Sequence, residues 1–228
     1  MNQAYFVAGT DTGVGKTFIS CALLEAARAK GLSTMALKPV AAGCDEIEGQ
    51  LQNDDAILLR RHMTMELPYA QVNPIALKEP ASPHISAALE NRTVSAHRML
   101  GICRGALMAR PEFALVEGAG GWRVPISPRE TMADLAKQLG MKVIVVVSLR
   151  LGCLNHALLT VEAIRRDGLK VAGWVANRVE PVPMRFEEEN IATLKSAMDA
   201  PFIGSVPFVT SEGPESICKH LDLSCLEL

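Results

Sequence analysis

The sequence predicts an α/β fold of the doubly wound type, in which a mostly parallel sheet carries helices on both faces. Short apolar runs alternate along the chain with segments of helical periodicity. Several runs are apolar at every position, which is typical of parallel strands buried on both faces. A glycine-rich loop joins the first apolar run to the first helical segment. With 228 residues, 49% of them hydrophobic, and no break in composition, we expect a single domain over residues 1–228.

The first half of the chain is predicted to contain two strands and four helices. The strands cover residues 4–8 and 34–40, and the helices cover residues 16–29, 54–63, 84–90 and 96–108. Apolar residues recur every three to four positions in the first helix, which Gly31 ends. Asn53 is available to cap the second helix. The Pro-rich segment 68–83 is predicted to be irregular.

The second half is predicted to contain four strands and four helices. The strands cover residues 113–117, 143–148, 171–176 and 202–206, and the helices cover residues 132–139, 154–166, 185–197 and 215–221. The acidic run Glu187, Glu188 and Glu189 is interpreted as a solvated helix start, because the helix dipole favours carboxylates there.

Composition and charge exclude several classes of function. The net charge is −2 and the basic residues are scattered, so we expect no nucleic-acid partner. No apolar stretch reaches the ~18 residues that span a membrane, and no secretory signal is visible, so we expect no membrane association. The six cysteines have no C-x-x-C spacing, which indicates reduced thiols and a cytoplasmic protein. The five histidines are dispersed and predict no metal site of their own.

The stretch "VAGTDTGVGKTF" is interpreted as a phosphate-binding loop that departs from the pattern G-x-x-x-x-G-K-[ST]. Thr10 stands where the first glycine is expected, and Gly9 comes one residue too early. The loop follows a strand and opens a helix, where backbone N–H groups and the helix N-terminus attract phosphate. Lys16 is predicted to reach the β- and γ-phosphates of a nucleotide and Thr17 to bind Mg²⁺. The alternative is an ordinary glycine-rich turn.

Two acidic residues are candidate partners for that metal. Glu117 ends a predicted buried strand in "FALVEGAGG", where an unpaired carboxylate is costly unless it meets a cation. Gly118, Gly120 and Gly121 follow and permit close approach of a ligand to the backbone. Asp55 opens the helix after the second strand, and its alternative role is favourable charge at a helix N-terminus.

Two further segments point towards a ligand crevice. Lys38 stands at the carboxyl end of the apolar second strand in "ALKPVAAG" and is predicted to project into the crevice. The alternative is an edge lysine that snorkels to solvent. The segment "SLRLGCLNHALLT" passes from a strand through Gly152 into a helix, whose exposed N–H groups could bind a carboxylate.

With these residues in place, the chain resembles the dethiobiotin synthetase family. The matching motifs follow the family order over nearly the whole chain: "GTDTGVGKT", "LKPVAAG", "NDDA", "VNP", "EPASPHISA", "LVEGAGGW", "LGCLNHALLT", "AGWVAN" and "VPF". The longer phosphate loop is itself a feature of that family. The resemblance implies a P-loop NTPase fold and the conversion of 7,8-diaminononanoate, CO₂ and MgATP to dethiobiotin, ADP and phosphate. A carbamate and a carbamic–phosphoric anhydride are the implied intermediates.

The resemblance also implies a role for each site residue. Thr17, Asp55 and Glu117 would bind Mg²⁺, while Thr12, Lys16 and Lys38 would surround the carbamate and the transferred phosphoryl group. The nucleotide-binding set would be Gly13, Val14, Gly15, Lys16, Thr17, Phe18, Asp55, Glu117, Gly118, Ala119, Gly120, Asn177, Arg178, Pro207, Phe208, Val209 and Glu215.

Within this set, Asn177 would read the adenine edge. Residues 207–209 and Glu215 would line the nucleoside pocket, with Glu212 as a rival for Glu215. The diamine would contact Thr12, Lys38 and Ala42 in one subunit. Its distal carboxylate would meet the helix start formed by Gly152, Cys153, Leu154 and Asn155 of the neighbouring subunit, which implies a homodimer.

Two residues depart from the family pattern. Many relatives have a serine at the position of Ala42, and some have an acidic residue at the position of Gly13. Because neither departure removes a metal ligand or a phosphate-binding group, we expect altered affinity with the chemistry retained.

Three alternatives compete with this interpretation. An amide-forming ligase related to the corrin-ring amidating synthetases would need a glutamine-hydrolysing domain, for which this chain has no room. An ATP-driven switch that positions division machinery or segregates plasmids would carry an additional lysine near the start of its loop, where this chain has Gly9, Thr10 and Asp11. A catalytically silent paralogue that binds only nucleotide is disfavoured by the retained Lys16, Lys38, Asp55 and Glu117.

Overall fold

Six parallel strands form the centre of the protein in the order β10-β9-β8-β1-β7-β2. The computed structural model describes residues 3–211 and 213–226. The strands of this sheet are β1 (Gln3–Gly9), β2 (Thr34–Leu37), β7 (Phe113–Gly121), β8 (Lys142–Ser148), β9 (Val171–Asn177) and β10 (Phe202–Val206). The predicted parallel sheet is confirmed.

Helices cover both faces of the sheet, as predicted. Within the described residues they are α1 (Lys16–Ala29), α2 (Asp54–His62), α3 (Tyr69–Val72), α4 (Pro83–Leu89), α5 (Ala96–Leu107), α6 (Met132–Leu139), α7 (Cys153–Arg166), α8 (Glu187–Ala197) and α9 (Pro214–Ile217). Two short 3₁₀ helices, Cys218–His220 and Leu223–Leu226, follow α9. The helix predicted over residues 215–221 is therefore shorter than expected and changes its hydrogen-bonding pattern.

Alternation along the strands builds two apolar cores. Successive side chains of a strand point to opposite faces. In β1, Phe6 belongs to the core formed with helices α4 to α8, whereas Tyr5 and Val7 belong to the core formed with α1, α2 and α9. In β8, Val145 belongs to the same core as Phe6, and Ile144 belongs to the same core as Tyr5 and Val7. This two-sided burial explains why the strands read as continuous apolar runs.

The strand predicted over residues 34–40 is wrong at its carboxyl end. It stops at Leu37, because the N–H of Lys38 donates to the carbonyl of Val72 at 2.8 Å and Pro39 has no N–H for the sheet. The chain then forms β3 (Val40–Ala42), which pairs with β6 (Ile75–Leu77) in a separate two-stranded sheet. The break turns Lys38 into the first residue beyond β2.

Other local features also differ from the sequence predictions. The segment 68–83 is not irregular throughout, because it contains α3 and β6. A hairpin of β4 (Asp45–Ile47) and β5 (Gln50–Gln52) was not predicted. Asn53 occupies the N-cap position of α2, but its side chain makes no capping hydrogen bond. The acidic run does open α8, yet Glu187 is buried and pairs with Arg178 instead of facing solvent.

The topology brings three chain segments to one edge of the sheet. Strand β1 lies between β7 and β8, and β2 lies beyond β7, so the carboxyl ends of β1, β7 and β2 are neighbours. Val7 pairs with Glu117, and Leu37 pairs with Val116. Ligands bind beyond the carboxyl ends of strands in open α/β sheets. No helix in residues 3–211 and 213–226 is long and apolar enough to cross a membrane.

Candidate nucleotide-binding and catalytic site

The loop between β1 and α1 has a backbone that only glycine accommodates at its end. Gly15 is the N-cap of α1 with φ +80°, a left-handed conformation that favours glycine. A Cβ atom there would lie well inside van der Waals distance of Nδ2 of Asn177. That amide nitrogen donates to the carbonyl of Val14 at 2.9 Å and fixes the loop to the end of β9.

Lys16 is buried beneath this loop. Its Nζ donates to the carbonyl of Asp11 at 3.2 Å, and the Asp11 carboxylate pairs with Arg150 at 2.6 Å. Burial, followed by the charge of Lys38, lowers the pKa of Lys16 to about 8. An ammonium with few solvating partners is prepared to meet an anion.

Glu117 is the buried centre of the site, with no exposed surface. Its Oε1 accepts from the Thr17 hydroxyl at 2.7 Å and from Lys38 Nζ at 2.6 Å, and its Oε2 accepts from the Ser20 hydroxyl at 2.7 Å. Sequence reasoning missed Ser20. Its position three residues after Thr17 places it on the same face of α1, and this spacing could have revealed it.

Lys38 lies against two carboxylates. Besides Glu117, its Nζ contacts Oδ2 of Asp55 at 3.1 Å and the carbonyl of Gly118 at 3.4 Å. Burial alone would lower the pKa of Lys38, but the charges of Glu117 and Asp55 outweigh burial and raise it. Burial likewise opposes ionisation of Asp55, whose pKa is nevertheless lowered because Lys38 is so close. Lys38 is 4% exposed, so the snorkelling alternative is wrong.

A cleft of about 810 Å³ opens above these charges. The predicted site residues that line it are Thr12, Gly13, Gly15, Lys16, Thr17, Phe18, Lys38, Ala42, Asp55, Ala119 and Gly120. The lining residues that were not predicted as site residues are Ala41, Asn53, Leu58, Pro80, Ala81, Ser82, Pro83 and Val124. The turn at residues 80–83 reaches the cleft only because β6 pairs with β3, a long-range contact without a local sequence signal.

Several predicted residues lie outside the lining of this cleft. Arg178 forms its ion pair with Glu187, and Pro207, Phe208 and Val209 follow the carboxyl end of β10. Glu215 is exposed, and its Oε1 lies 3.6 Å from Nδ1 of His62, a ring that also contacts Glu25 at 2.9 Å. Glu212, the rival of Glu215, lies outside the described residues.

The start of α7 is a second predicted binding element. Gly152 caps it with φ +96°, and Leu151 just before it is 94% exposed. The N–H of Cys153 donates to the carbonyl of Arg150 at 2.9 Å, which leaves Leu154 and Asn155 as the first-turn donors of interest. Burial raises the pKa of the Cys153 thiol, which disfavours the reactive thiolate.

The donor atoms around Glu117 fit magnesium. Mg²⁺ prefers oxygen ligands, usually one or two carboxylates together with water and phosphate oxygens. Thr17 supplies a hydroxyl that donates to Glu117, and Asp55 and Glu117 supply carboxylates that both contact the Lys38 ammonium. Two ammonium groups and a helix N-terminus meet these acids at the cleft. The arrangement can bind a polyphosphate and offset charge as an anion approaches it.

Comparison with known proteins identifies relatives that match nearly the whole chain. A family model described as "AAA domain" matches residues 3–216. The ATP-dependent dethiobiotin synthetase of Cellvibrio japonicus is 51% identical over 98% of this chain and 97% of its own length. That of Pseudomonas paraeruginosa is 50% identical over 96% of each chain.

Solved structures of lower identity share the fold. The septum site-determining protein MinD of Pyrococcus horikoshii, complexed with Mg-ADP, superposes with a TM-score of 0.54 at 16% identity, over 91% of this chain and 82% of that one. A ParA family ATPase of Chlorobium tepidum gives 0.56 at 12% identity, over 100% and 92%. At such identities the similarity concerns the fold alone.

Proposed function

Since this chain belongs to the family of ATP-dependent dethiobiotin synthetases, we propose that the cleft beyond β1, β2 and β7 is where it carboxylates its diamine and closes the ring. The enzyme is a ligase that uses ATP to form carbon–nitrogen bonds and produces dethiobiotin. The buried pair of Lys38 and Glu117 beneath the phosphate loop is the observation that carries the residue-level proposal.

The reaction joins 7,8-diaminononanoate to CO₂ in three steps. One amine, in its neutral form, attacks CO₂ and loses a proton to give a carbamate. A carbamate oxygen then attacks the γ-phosphorus of ATP, the bond to the β-phosphate oxygen breaks, and ADP leaves. The second amine attacks the carbonyl carbon of the resulting anhydride, the carbon–oxygen bond to phosphate breaks, and loss of a proton completes the ureido ring.

Lys16 and the start of α1 hold the phosphates in this proposal. The loop glycines allow backbone N–H groups to approach the phosphate oxygens, and the helix N-terminus adds partial positive charge. Lys16 Nζ lies under the loop and, among the residues that the structure describes, has one hydrogen-bond partner, the carbonyl of Asp11. An ammonium there would bind the β- and γ-phosphates.

Thr17, Asp55 and Glu117 would hold Mg²⁺ beside them. When bound, the metal neutralises phosphate charge and aligns the phosphoryl group for transfer. Glu117 is fixed for this role by Ser20, which occupies Oε2 and leaves Oε1 directed towards Thr17 and Lys38.

Lys38 would offset the negative charge that accumulates when a carbamate meets the γ-phosphate. Thr12 lines the same cleft, beside Gly120. A Cβ on Gly120 would lie 3.2 Å from Oγ1 of Thr12, so the missing side chain leaves room for that hydroxyl. We infer that the extra residue of the loop directs Thr12 towards the second substrate. Catalysis in this account is positioning and electrostatic stabilisation.

The two departures from the family pattern fall in the same cleft. Ala42 and Gly13 both line it, and neither side chain can donate a hydrogen bond. The proposed effect is on substrate affinity, because the ammonium groups and the metal ligands are unaffected.

The nucleoside would bind beside the carboxyl ends of β9 and β10. Asn177 donates from Nδ2 to the carbonyl of Val14 in the phosphate loop. In this proposal the same side chain also contacts the adenine edge, so that it joins the loop to the bound base. Arg178, the segment 207–209 and Glu215 are proposed to complete the pocket. The location of Arg178 just after β9 and of residues 207–209 just after β10 supports this proposal, and Glu215 lies further on, in α9.

A homodimer is the proposed assembly, with the start of α7 from one copy completing the substrate site of the other. The exposed Leu151, Leu158 and Leu159 at and along α7 support a partner on this face. Leu151→Asp should shift sedimentation towards the monomer and weaken binding of the diamine. Met108→Asp, at an 80% exposed position on another helix, should change neither property.

We propose that the enzyme acts in the cytoplasm and that residues 1–228 work as one domain. All six cysteines are free thiols, which supports a reducing compartment. The alternatives of an amide-forming ligase and a switch ATPase are disfavoured, because relatives of about half identity are synthetases and the switch ATPases share only the fold.

An omission assay tests this function. ADP release would be followed with ATP, Mg²⁺, bicarbonate and 7,8-diaminononanoate, and each component would be left out in turn. We expect release to require all four and to match dethiobiotin formation. Release that is independent of the diamine would contradict the synthetase reaction and favour a switch ATPase.

A further inference from the structure

The Lys38 ammonium contacts the same oxygens that would bind a divalent cation. Its Nζ lies 2.6 Å from Oε1 of Glu117 and 3.1 Å from Oδ2 of Asp55. Oε1 of Glu117 also accepts the Thr17 hydroxyl at 2.7 Å. The ammonium therefore lies among the three side chains proposed as metal ligands.

One ammonium and one divalent cation would compete for the same lone pairs of these oxygens. Mg²⁺ holds its ligands at ~2.0–2.1 Å and demands near-octahedral order, which leaves no room for Nζ at hydrogen-bond distance from the same lone pairs. The two cations would also repel each other strongly, because Glu117 is fully buried and little water screens the site. Glu117 also cannot stay uncompensated, since an unpaired buried carboxylate is costly.

We propose that Lys38 and the divalent cation are alternative occupants of one oxygen site, and that metal binding moves the Lys38 ammonium into the cleft. This inference rests on the proposed metal ligands Thr17, Asp55 and Glu117. Lys38 compensates Glu117 until the metal arrives. The metal then compensates the charge of Glu117, and the Lys38 ammonium is free to contact the substrate. Binding of the metal and release of the Lys38 ammonium into the cleft are therefore coupled.

The backbone around Lys38 favours a movement of the side chain alone. The N–H of Lys38 donates to the carbonyl of Val72 at 2.8 Å, and its carbonyl accepts from Nδ2 of Asn73 at 2.6 Å. Both backbone groups are thus held in place. Four flexible side-chain torsions remain, and Lys38 itself lines the 810 Å³ cleft into which Nζ would turn.

Binding of Mn²⁺ to the nucleotide-free protein tests this competition directly. Mn²⁺ replaces Mg²⁺ as the probe, and the electron paramagnetic resonance signal of free Mn²⁺ reports binding without any turnover. In Lys38→Met and Lys38→Gln we expect Mn²⁺ to bind at least about tenfold more tightly than in the wild type, because a unit charge is removed from a poorly solvated site. Mn²⁺ should also raise the unfolding temperature of these variants more than that of the wild type.

Two controls isolate the effect of position and charge. Lys30→Met removes the same charge from the exposed end of α1 and should leave Mn²⁺ affinity unchanged. Lys38→Arg keeps a cation beside Glu117 and should stay within about threefold of the wild type. Lys38→Gln retains an amide donor for Glu117, so it decides the matter if Lys38→Met does not fold.

The outcomes separate this inference from the metal assignment beneath it. Asp55→Asn and Glu117→Gln should weaken Mn²⁺ binding. If they do and the Lys38 variants bind Mn²⁺ no more tightly than the wild type, the competition is overturned and the metal ligands stand. If Asp55→Asn and Glu117→Gln leave Mn²⁺ affinity unchanged, the proposed metal ligands are wrong and the competition is overturned with them.

Discussion

Lys38 Nζ lies 2.6 Å from Oε1 of Glu117, and both side chains are buried beneath the phosphate loop. Glu117 lies in β7 and Lys38 directly follows the neighbouring strand β2, and the register of these strands pairs Leu37 with Val116. Lys38 follows Leu37 and Glu117 follows Val116, so the register of the sheet sets Lys38 opposite Glu117. The ammonium proposed as the catalytic cation thereby lies at the edge of the parallel sheet, beside the proposed metal ligands.

Replacement of Lys38 by alanine should remove most turnover and leave nucleotide binding within a few fold. Loss of one preorganised charge at a reacting group costs roughly 10²–10³ in kcat. The affinity for ADP depends on Lys16 and the loop, which Lys38 does not contact. Initial rates and calorimetric titration with ADP measure the two effects.

The same variant must be checked for folding. Truncation leaves Glu117 buried without its cation, which costs about 3–5 kcal/mol in the free energy of unfolding. Urea unfolding with and without Mg²⁺ would separate this loss from the loss of catalysis. A near-normal rate in the folded variant would show that Lys38 only compensates Glu117.

Ser20→Ala should lower both stability and the affinity for the metal. The Ser20 hydroxyl donates to Oε2 of Glu117 at 2.7 Å, and a hydrogen bond to a charged group contributes about 1.5–3 kcal/mol. Without it, Oε2 is left buried and Glu117 can rotate. Urea unfolding and the Mg²⁺ dependence of ADP release would report the two effects.

Ser86→Ala is the matched control for that substitution. Ser86 is also fully buried on a helix, but its hydroxyl has no hydrogen-bond partner within the described residues. Its removal should leave stability unchanged or raise it slightly. Equal losses in the two variants would mean that Ser20 acts only as a packed side chain.

The pKa of Lys16, about 8 in the free protein, predicts proton uptake on nucleotide binding. A bound phosphate favours the ammonium, so the pKa of Lys16 rises in the complex. ADP affinity should therefore fall as the pH rises through 8. Titrations at pH 8.5 in buffers of different ionisation enthalpy should show uptake of a proton by the wild type and not by Lys16→Met.

The same shift has a consequence for the free protein. Lys16 has a pKa near 8 when folded and an ordinary value of 10.5, so the unfolded chain binds more protons between these values. Its contribution makes the free energy of unfolding rise with pH in that window, as the cost of the buried charge is relieved. Lys16→Met should lose this rise. An unchanged pH profile would contradict the lowered pKa.

Gly15→Ala should abolish most ADP binding, and Asn177→Ala should restore part of it. A Cβ at residue 15 would collide with the Asn177 amide, in addition to the strain of a positive φ. In the double variant the strain, the lost hydrogen bond to Val14 and the loss of the proposed contact of Asn177 with adenine remain, so the recovery should be partial. Calorimetric titration of the three variants gives the coupling energy.

Gly13→Ala separates strain from collision. Gly13 has φ +73°, but a Cβ there would meet nothing within 4 Å. Its ADP affinity should fall by much less than that of Gly15→Ala. If Asn177→Ala gave no relief in the Gly15→Ala background, the contact between these residues would not shape the loop.

The sequence predicted the elements whose periodicity is strong. Helix α1 covers residues 16–29 as predicted, and β10 covers residues 202–206. The apolar pattern determines both, since each has one dominant period. The end of β2 was wrong because it depends on where the backbone of Lys38 finds its hydrogen bond, and Val72 is far away in sequence.

The site was predictable where its chemistry lies in short motifs. Lys16, Thr17 and Lys38 were found from the loop and the strand end, and they do line one cleft. Ser20 was missed although its spacing from Thr17 marks the same face of α1, and the link from Asn177 to Val14 was missed because it joins residues that are distant in the chain. Side-chain hydrogen bonds of this kind follow from the register of the sheet and not from local composition.

The origin of the oxygen in the released phosphate distinguishes attack by a carbamate on ATP from attack by water. Enzyme, MgATP and 7,8-diaminononanoate would be mixed with C¹⁸O₂ in unlabelled water, quenched rapidly and analysed by mass spectrometry. If a carbamate oxygen attacks the γ-phosphorus, each phosphate formed with dethiobiotin carries one ¹⁸O atom. Phosphate that carries only unlabelled oxygen would show attack by water and would contradict the account.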